Sequence, residues 1–226
     1  MKIRKLQLAI MAAALAAVNS ASAQITLTLD GVGQLGQNNY ETVNLFSSAL
    51  GINESGVEAG IYNLTVNNVA TPSFCIDIAT EQSENIPYPD YNYTVLASAP
   101  VSSVGPMGSA AATDIEKLWA QYYSPSMGSQ DAAALQVAIW EDMANNSGGN
   151  NGGPYTLTVS GNDPVTSEAS TMLDSLPDLT AEANLIALTD NGQGYVVVPE
   201  PTAAGCFLLG LGALVCFQRF TKNRSS

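Results

Sequence analysis

Apolar and polar residues alternate along Gln24-Ile25-Thr26-Leu27-Thr28-Leu29 and again along Gly60-Ile61-Tyr62-Asn63-Leu64-Thr65-Val66. A period of two marks a strand with one face in a core. Asp30-Gly31 predicts a turn after the first run, and the Gly-, Asn- and Ser-rich stretches between the two runs predict loops. Phe74 to Ile78 predicts a strand that carries Cys75 inward, with Pro72 placing its start at a sheet edge. Residues 81–90, which hold Pro87 and Pro89, predict a loop ahead of a strand over Tyr91-Asn92-Tyr93-Thr94-Val95-Leu96. Further strands are predicted over residues 154–159 and 195–198.

The period changes in the middle of the chain. Residues 113–123 open on a cap-like Thr113 and place Ile115, Leu118, Trp119 and Tyr122 on one stripe, which predicts a helix. Residues 129–143 predict a second helix, packed on the first. Ser129 can cap it, Asp131 suits its positive end, three alanines follow, and Asn145 to Gly149 stop it. Residues 145–153 are a loop of Asn, Ser and Gly, and residues 165–188 predict one or two amphipathic helices interrupted near Pro177. Strands grouped apart from helices predict an α+β fold: an antiparallel β-sandwich or barrel-like core with an inserted helical subdomain. Trp119 and Trp140 sit at helical spacing and are expected in the core rather than as a ligand-stacking pair.

One position in the second helix breaks its pattern. At about 100° per residue, Ala132, Leu135, Ile139, Trp140 and Met143 share an arc, with Gln136 near its middle and Glu141 and Asp142 well away from it. A buried amide costs roughly 1–3 kcal/mol unless its hydrogen bonds are met. Gln136 either pairs with a backbone group across the core or has a chemical partner. The one candidate partner is Cys75, in Phe74-Cys75-Ile76-Asp77, because the other two cysteines, Cys206 and Cys216, lie in the apolar C-terminal segment.

The two ends have their own patterns. Lys2, Arg4 and Lys5 precede an apolar run from Leu6 to Val18 and the small residues Ala21-Ser22-Ala23, which predicts a secretory signal over residues 1–23. The run is too short to favour a retained membrane anchor. Residues 24–197 then form one domain of about 175 residues, large enough for a full core. Residues 198–226 carry Pro199-Glu200-Pro201, the mostly apolar stretch 202–217 and the basic residues Arg219, Lys222 and Arg224, which predicts a C-terminal membrane helix with a cytoplasmic basic end.

Charge and composition narrow the chemistry. Between the two ends stand nineteen acids and one base, Lys117, a net charge of −18. Such a surface excludes binding to nucleic acid or to an anionic membrane. The chain has no histidine, which removes histidine-based triads and the usual zinc and copper sites, so no metal and no cofactor are expected. In an exported domain Cys75 has no disulfide partner, which suggests intermolecular pairing, a functional thiol or an inert buried cysteine.

Phe74-Cys75-Ile76-Asp77 and Leu135-Gln136-Val137-Ala138-Ile139-Trp140 together resemble the thioester domains of bacterial surface adhesins, often called TQXA domains. There an aromatic-Cys-apolar-Asp motif meets an apolar-Gln-x-x-apolar-Trp motif. Leu135 replaces the threonine of the group's name. The resemblance implies that the Cys75 sulfur condenses with the Gln136 carboxamide, losing ammonia and leaving an internal thioester, with Phe74, Asp77, Ile139 and Trp140 around it. It implies covalent attachment to a partner's amine, most simply a lysine, and no turnover as an enzyme. Without an imidazole to relay the acyl group, amines should be preferred over sugar hydroxyls. Asp77 either accepts a proton or pairs with backbone, and the second is favoured. The C-terminal segment resembles the PEP-CTERM sorting tail, which implies processing by an exosortase, transient passage through the inner membrane along residues 202–217, and delivery to the surface or extracellular matrix of a Gram-negative cell.

Two rival functions follow from the same chain. One is a non-covalent structural protein of the extracellular polysaccharide or biofilm matrix, with Cys75 simply buried. The other, a hydrolase using acid pairs such as Glu81/Glu84, Asp114/Glu116 or Glu141/Asp142, has little support, because these pairs read as solvated faces.

Overall fold

The computed structural model describes residues 25–33, 39–99, 105–146, 155–190 and 193–199. The predicted signal, Glu200, Pro201, the apolar stretch 202–217 and most of the loop after the second helix lie outside them. The domain is α+β. Its larger sheet is a closed antiparallel barrel in the order β1 (Ile25–Val32), β4 (Tyr62–Val66), β5 (Val69–Cys75), β9 (Tyr195–Val197), β8 (Ile186–Thr189) and β6 (Pro87–Val95). A second sheet has the order β3 (Ile52–Gly60), β2 (Tyr40–Ser47) and β7 (Thr158–Ser160). Three helices, α1 (Ser109–Tyr122), α2 (Ser129–Asn146) and α3 (Asp163–Ser175), are inserted between β6 and β8.

The alternation in the sequence produces the barrel wall. Ile25, Leu27 and Leu29 on β1, and Tyr62, Leu64 and Val66 on β4, all turn into the core. On the side facing the helices the wall is covered on both faces, and every residue of β9 is buried. Phe74 there stands edge-on to Trp119 of α1, with ring centroids 5.3 Å apart, and Trp119 packs on Tyr123. Trp119 and Trp140 are both core residues.

Several boundaries move. The turn expected at Asp30-Gly31 is an irregularity inside β1, where the register with β4 shifts and Gly31 takes a φ of 134°. The loops expected between residues 30 and 60 contain the β2–β3 pair. The strand around Cys75 starts at Val69 and ends at Cys75, and β6 starts four residues before Tyr91, with both prolines inside it. Pairing of β6 with β1 is irregular at this point, and that irregularity accommodates prolines that cannot donate to a ladder. Helix α1 begins at Ser109, so Thr113 lies inside it rather than at its cap. Of the expected strand 154–159 only Thr158 and Val159 fall in β7, which runs on to Ser160, and Ile186 to Leu188, expected at the end of a helix, belong to β8. Among the described residues no helix is long and apolar enough to cross a membrane.

Helix α2 runs through the centre. It packs on α1, α3, β2 and β3, and Ala132 to Trp140 and Asp142 to Ala144 are all buried. The small side chains of Ala132, Ala133 and Ala134 let neighbours approach this helix from several sides. Ser129 is the first residue of the helix rather than the residue before it, and its hydroxyl donates to Glu41 of β2 at 2.6 Å. Asp142 was expected on a solvated face and is instead buried, because α1 covers that side. Its Oδ1 accepts from Asn146, whose amide also lies 3.4 Å from Asp114 on α1.

Burial, and then the neighbouring Asp114, push the Asp142 carboxyl up to about 7, against a smaller opposing effect of the Asn146 hydrogen bond. The folded protein therefore holds this proton more tightly than the unfolded chain. The associated stability is fully present below the unfolded value of about 4 and is lost as pH rises through the folded value. The melting temperature should fall across this interval, and Asp142→Asn should flatten the fall. An unchanged slope in the variant would contradict the assignment.

Candidate functional site

The site begins where a strand runs out of partners. Pairing of β5 with β4 ends at Ser73 and Tyr62, and the chain before Tyr62 departs into β3. Gly60 makes the departure possible, since a Cβ there would collide with the backbone of Asn39 and Tyr40. Beyond Ser73 the other edge of β5 continues to pair with β9: Cys75 stands opposite Tyr195, and the Ile76 N–H donates to the Gly194 carbonyl at 2.9 Å. Successive peptide groups of a strand face alternate sides. The N–H and C=O of Cys75 therefore face the side that β4 has left.

Gln136 of α2 fills that gap. The Cys75 N–H donates to Gln136 Oε1 at 2.8 Å, and Gln136 Nε2 donates to the Cys75 carbonyl at 2.9 Å. The carboxamide stands in for the missing strand, and all of Gln136 is buried. These two bonds meet the burial cost of the amide through backbone pairing, the plainer of the two accounts the sequence offers. They also hold the carboxamide on the residue that carries the only cysteine sulfur among the described residues, across 61 positions of sequence.

The sulfur has its own polar surroundings. Gln193 Nε2 donates to Sγ at 3.0 Å, the Asp77 N–H approaches it at 3.4 Å, and the thiol donates to the Asp77 carbonyl at 3.1 Å. The Asp77 carboxylate accepts from the Ala79 N–H and the Thr80 hydroxyl at 3.1 Å each, so it braces the turn after β5. Burial pushes the Cys75 thiol up to about 12. The hydrogen bonds from Gln193 and the Asp77 backbone oppose this, and the Trp140 indole N–H adds a smaller effect in the same direction. An ordinary thiol pKa near 8.5 suggests an easy thiolate leaving group. The buried site does not provide one, so sulfur must keep or regain a proton whenever a bond to it breaks.

Phe74 and Ile139 are fully buried. Trp140 is also buried, one helical turn after Gln136, and its Nε1–H faces the Cys75 sulfur without completing a hydrogen bond of full geometry among the described residues. Pro199 is described; the rest of the sorting motif is not.

The polar groups that surround Gln193 and the sulfur were not legible in the sequence. The Tyr195 hydroxyl lies 3.0 Å from Gln193 Oε1 and 2.8 Å from Gln82 Oε1, and Tyr91 donates to the Gln193 carbonyl at 2.7 Å. Tyr155 is buried with its hydroxyl unpaired among the described residues, and burial, then Asp77 and Cys75, raise its pKa. Tyr91 and Tyr195 carry a weak signal as aromatic residues on predicted strands. Gln193, between Gly192 and Gly194, reads only as a turn.

A cavity of about 300 Å³ opens beside this network. Glu54, Glu58, Glu81 and Glu84 line it together with Tyr62 and Gln193, so two acid pairs distant in sequence converge on a space that reaches the residue bonded to the Cys75 sulfur. Asp114 and Glu116 lie elsewhere, on α1. Among the described residues no cluster of three or more His, Cys, Asp or Glu side chains could hold a metal ion.

Comparison with protein families, with curated proteins and with solved structures finds no match to this chain.

Replacing Gln136 with Met keeps the length of the side chain and removes the amide. Both peptide groups of Cys75 are then buried without partners, at roughly 1–3 kcal/mol each. Urea denaturation should show a loss of about 2–6 kcal/mol, and a loss of less than about 0.5 kcal/mol would contradict the ladder-filling role.

Proposed function

We propose that the domain is a covalent attachment module whose reactive group is a thioester between Cys75 and Gln136. The observation that carries this reading is the pair of hydrogen bonds that holds the Gln136 carboxamide on the Cys75 backbone. In the forming step the thiol adds to Gln136 Cδ, the C–N bond breaks, and Nε2 leaves as ammonia with the thiol proton. In the attachment step an amine nitrogen adds to the same carbon and the C–S bond breaks. The proton lost by the amine returns to sulfur, as the high thiol pKa demands. The product is an amide to the partner and a free Cys75 thiol.

The acidic cavity supports an amine as the nucleophile. Four carboxylates around one opening concentrate cations such as a lysine ammonium. A neutral sugar hydroxyl gains nothing from that field and finds no histidine to activate it. Residues 1–23 serve export in this reading. Pro199-Glu200-Pro201 and residues 202–217 serve sorting by an exosortase at the inner membrane, so that the domain is displayed on the cell surface or in its matrix.

A specific observation also favours the rival reading, a non-covalent structural protein of the extracellular matrix. Gln136 and Cys75 both have their hydrogen bonds met as they stand, and burial disfavours the nucleophilic thiolate.

Intact mass separates the two. The covalent reading predicts a chain lighter by one ammonia whose Cys75 resists alkylation until an amine is added. The structural reading predicts the full theoretical mass under the same conditions, with Cys75 alkylated once the chain is denatured and no amine adduct. A second comparison tests the nucleophile: methylamine should give far more adduct than glycerol, and equal yields would defeat the amine preference.

A further inference from the structure

Among the described residues four buried side-chain polar atoms have no hydrogen-bond partner: Ser47 Oγ, Asp142 Oδ2, Trp140 Nε1 and the Tyr155 hydroxyl. Folded chains rarely leave such groups unpaired, and each one calls for an explanation. Ser47 ends β2, and Asp142 belongs to the carboxyl cluster between α1 and α2. The other two belong to the Cys75 site. Trp140 follows Gln136 by four residues on α2, so the two side chains share a helix face. Tyr155 is 5% exposed and near enough to Asp77 and Cys75 for their charges to raise its hydroxyl pKa. Two hydrogen-bond donors therefore stand unused around the one place where a sulfur and a carboxamide meet.

The chemistry of acyl transfer has a use for them. When sulfur adds to Gln136 Cδ, Oε1 changes from a neutral carbonyl oxygen to an oxyanion, and the same charge returns when an amine attacks the thioester. An amide oxygen is satisfied by one donor, and here that donor is the Cys75 N–H at 2.8 Å. An oxyanion in a dry interior needs more donors and gains more from each. We propose that the Trp140 indole N–H and the Tyr155 hydroxyl complete, with the Cys75 N–H, an oxyanion pocket for the Gln136 carbonyl oxygen. This rests on the thioester reading and assigns roles within it. Among the described residues neither donor makes a hydrogen bond of full geometry, although the Trp140 N–H faces the Cys75 sulfur closely enough to oppose the rise of its pKa; the acceptor charge that both suit exists only in the tetrahedral adducts. Such donors stabilise the transition state without tightening the ground state.

The test uses the full chain purified after export, with Tyr155→Phe and Trp140→Phe. Three quantities are measured: intact mass, the rate of methylamine adduct formation, and melting temperature. Tyr155→Phe removes one oxygen that has no partner, so the variant should melt at or above the wild-type temperature. It should nonetheless react with methylamine about tenfold to a hundredfold more slowly. Trp140→Phe should slow the same step. Wild-type rates in both variants would overturn the pocket while leaving the thioester in place. So would a slowing of Tyr155→Phe matched by a loss of melting temperature, since that is what a purely structural side chain gives. A wild-type chain at full theoretical mass would overturn the thioester reading and the pocket with it.

Discussion

The two hydrogen bonds between the Gln136 carboxamide and the Cys75 peptide groups join the helices to the barrel. They finish a strand that has lost its neighbour, and they tie the centre of α2 to the barrel wall. The barrel supplies the rigid side: β5 is held by β4 over its first five residues and by β9 over its last two. The helices supply the other. Because α2 is enclosed by α1, α3 and the smaller sheet, the amide cannot withdraw without opening the core.

Burial shapes the chemistry as much as position does. A dry site keeps water from an acyl bond and strengthens each hydrogen bond within it. The same dryness raises the Cys75 thiol and makes a bare thiolate costly. The surroundings of the sulfur answer that cost in part, since Gln193 and the Asp77 backbone both donate toward it. Gln193 is itself fixed by Tyr91 and lies within hydrogen-bonding distance of Tyr195, and it borders the acidic cavity. One glutamine thus holds the pair by the backbone, and another joins the sulfur to the outside.

The legible parts of the sequence were those governed by local periodicity or by a rare residue. Alternation found β1 and β4, a short apolar run found β9, and a misplaced glutamine with a lone cysteine pointed to Cys75 and Gln136. The β2–β3 pair was missed because Ile52 to Gly60 buries only its ends, so its pattern is that of a loop. Residues 186–188 read as helix because they follow an amphipathic segment with no strong stop, and barrel closure decides otherwise. Asp142 was misplaced because a helix covered on several sides has no single apolar face from which to judge it. Gln193 meets the sulfur across 118 residues, and Tyr155 meets the site through folding alone, so no local pattern could mark either.

Carbon NMR of the chain labelled at the glutamine Cδ reads the bond itself. Folding should move the Gln136 resonance out of the amide range into that of a thioester, and added amine should return it. A Gln136 resonance that stays in the amide range throughout would contradict the covalent account and leave a glutamine that only completes a strand.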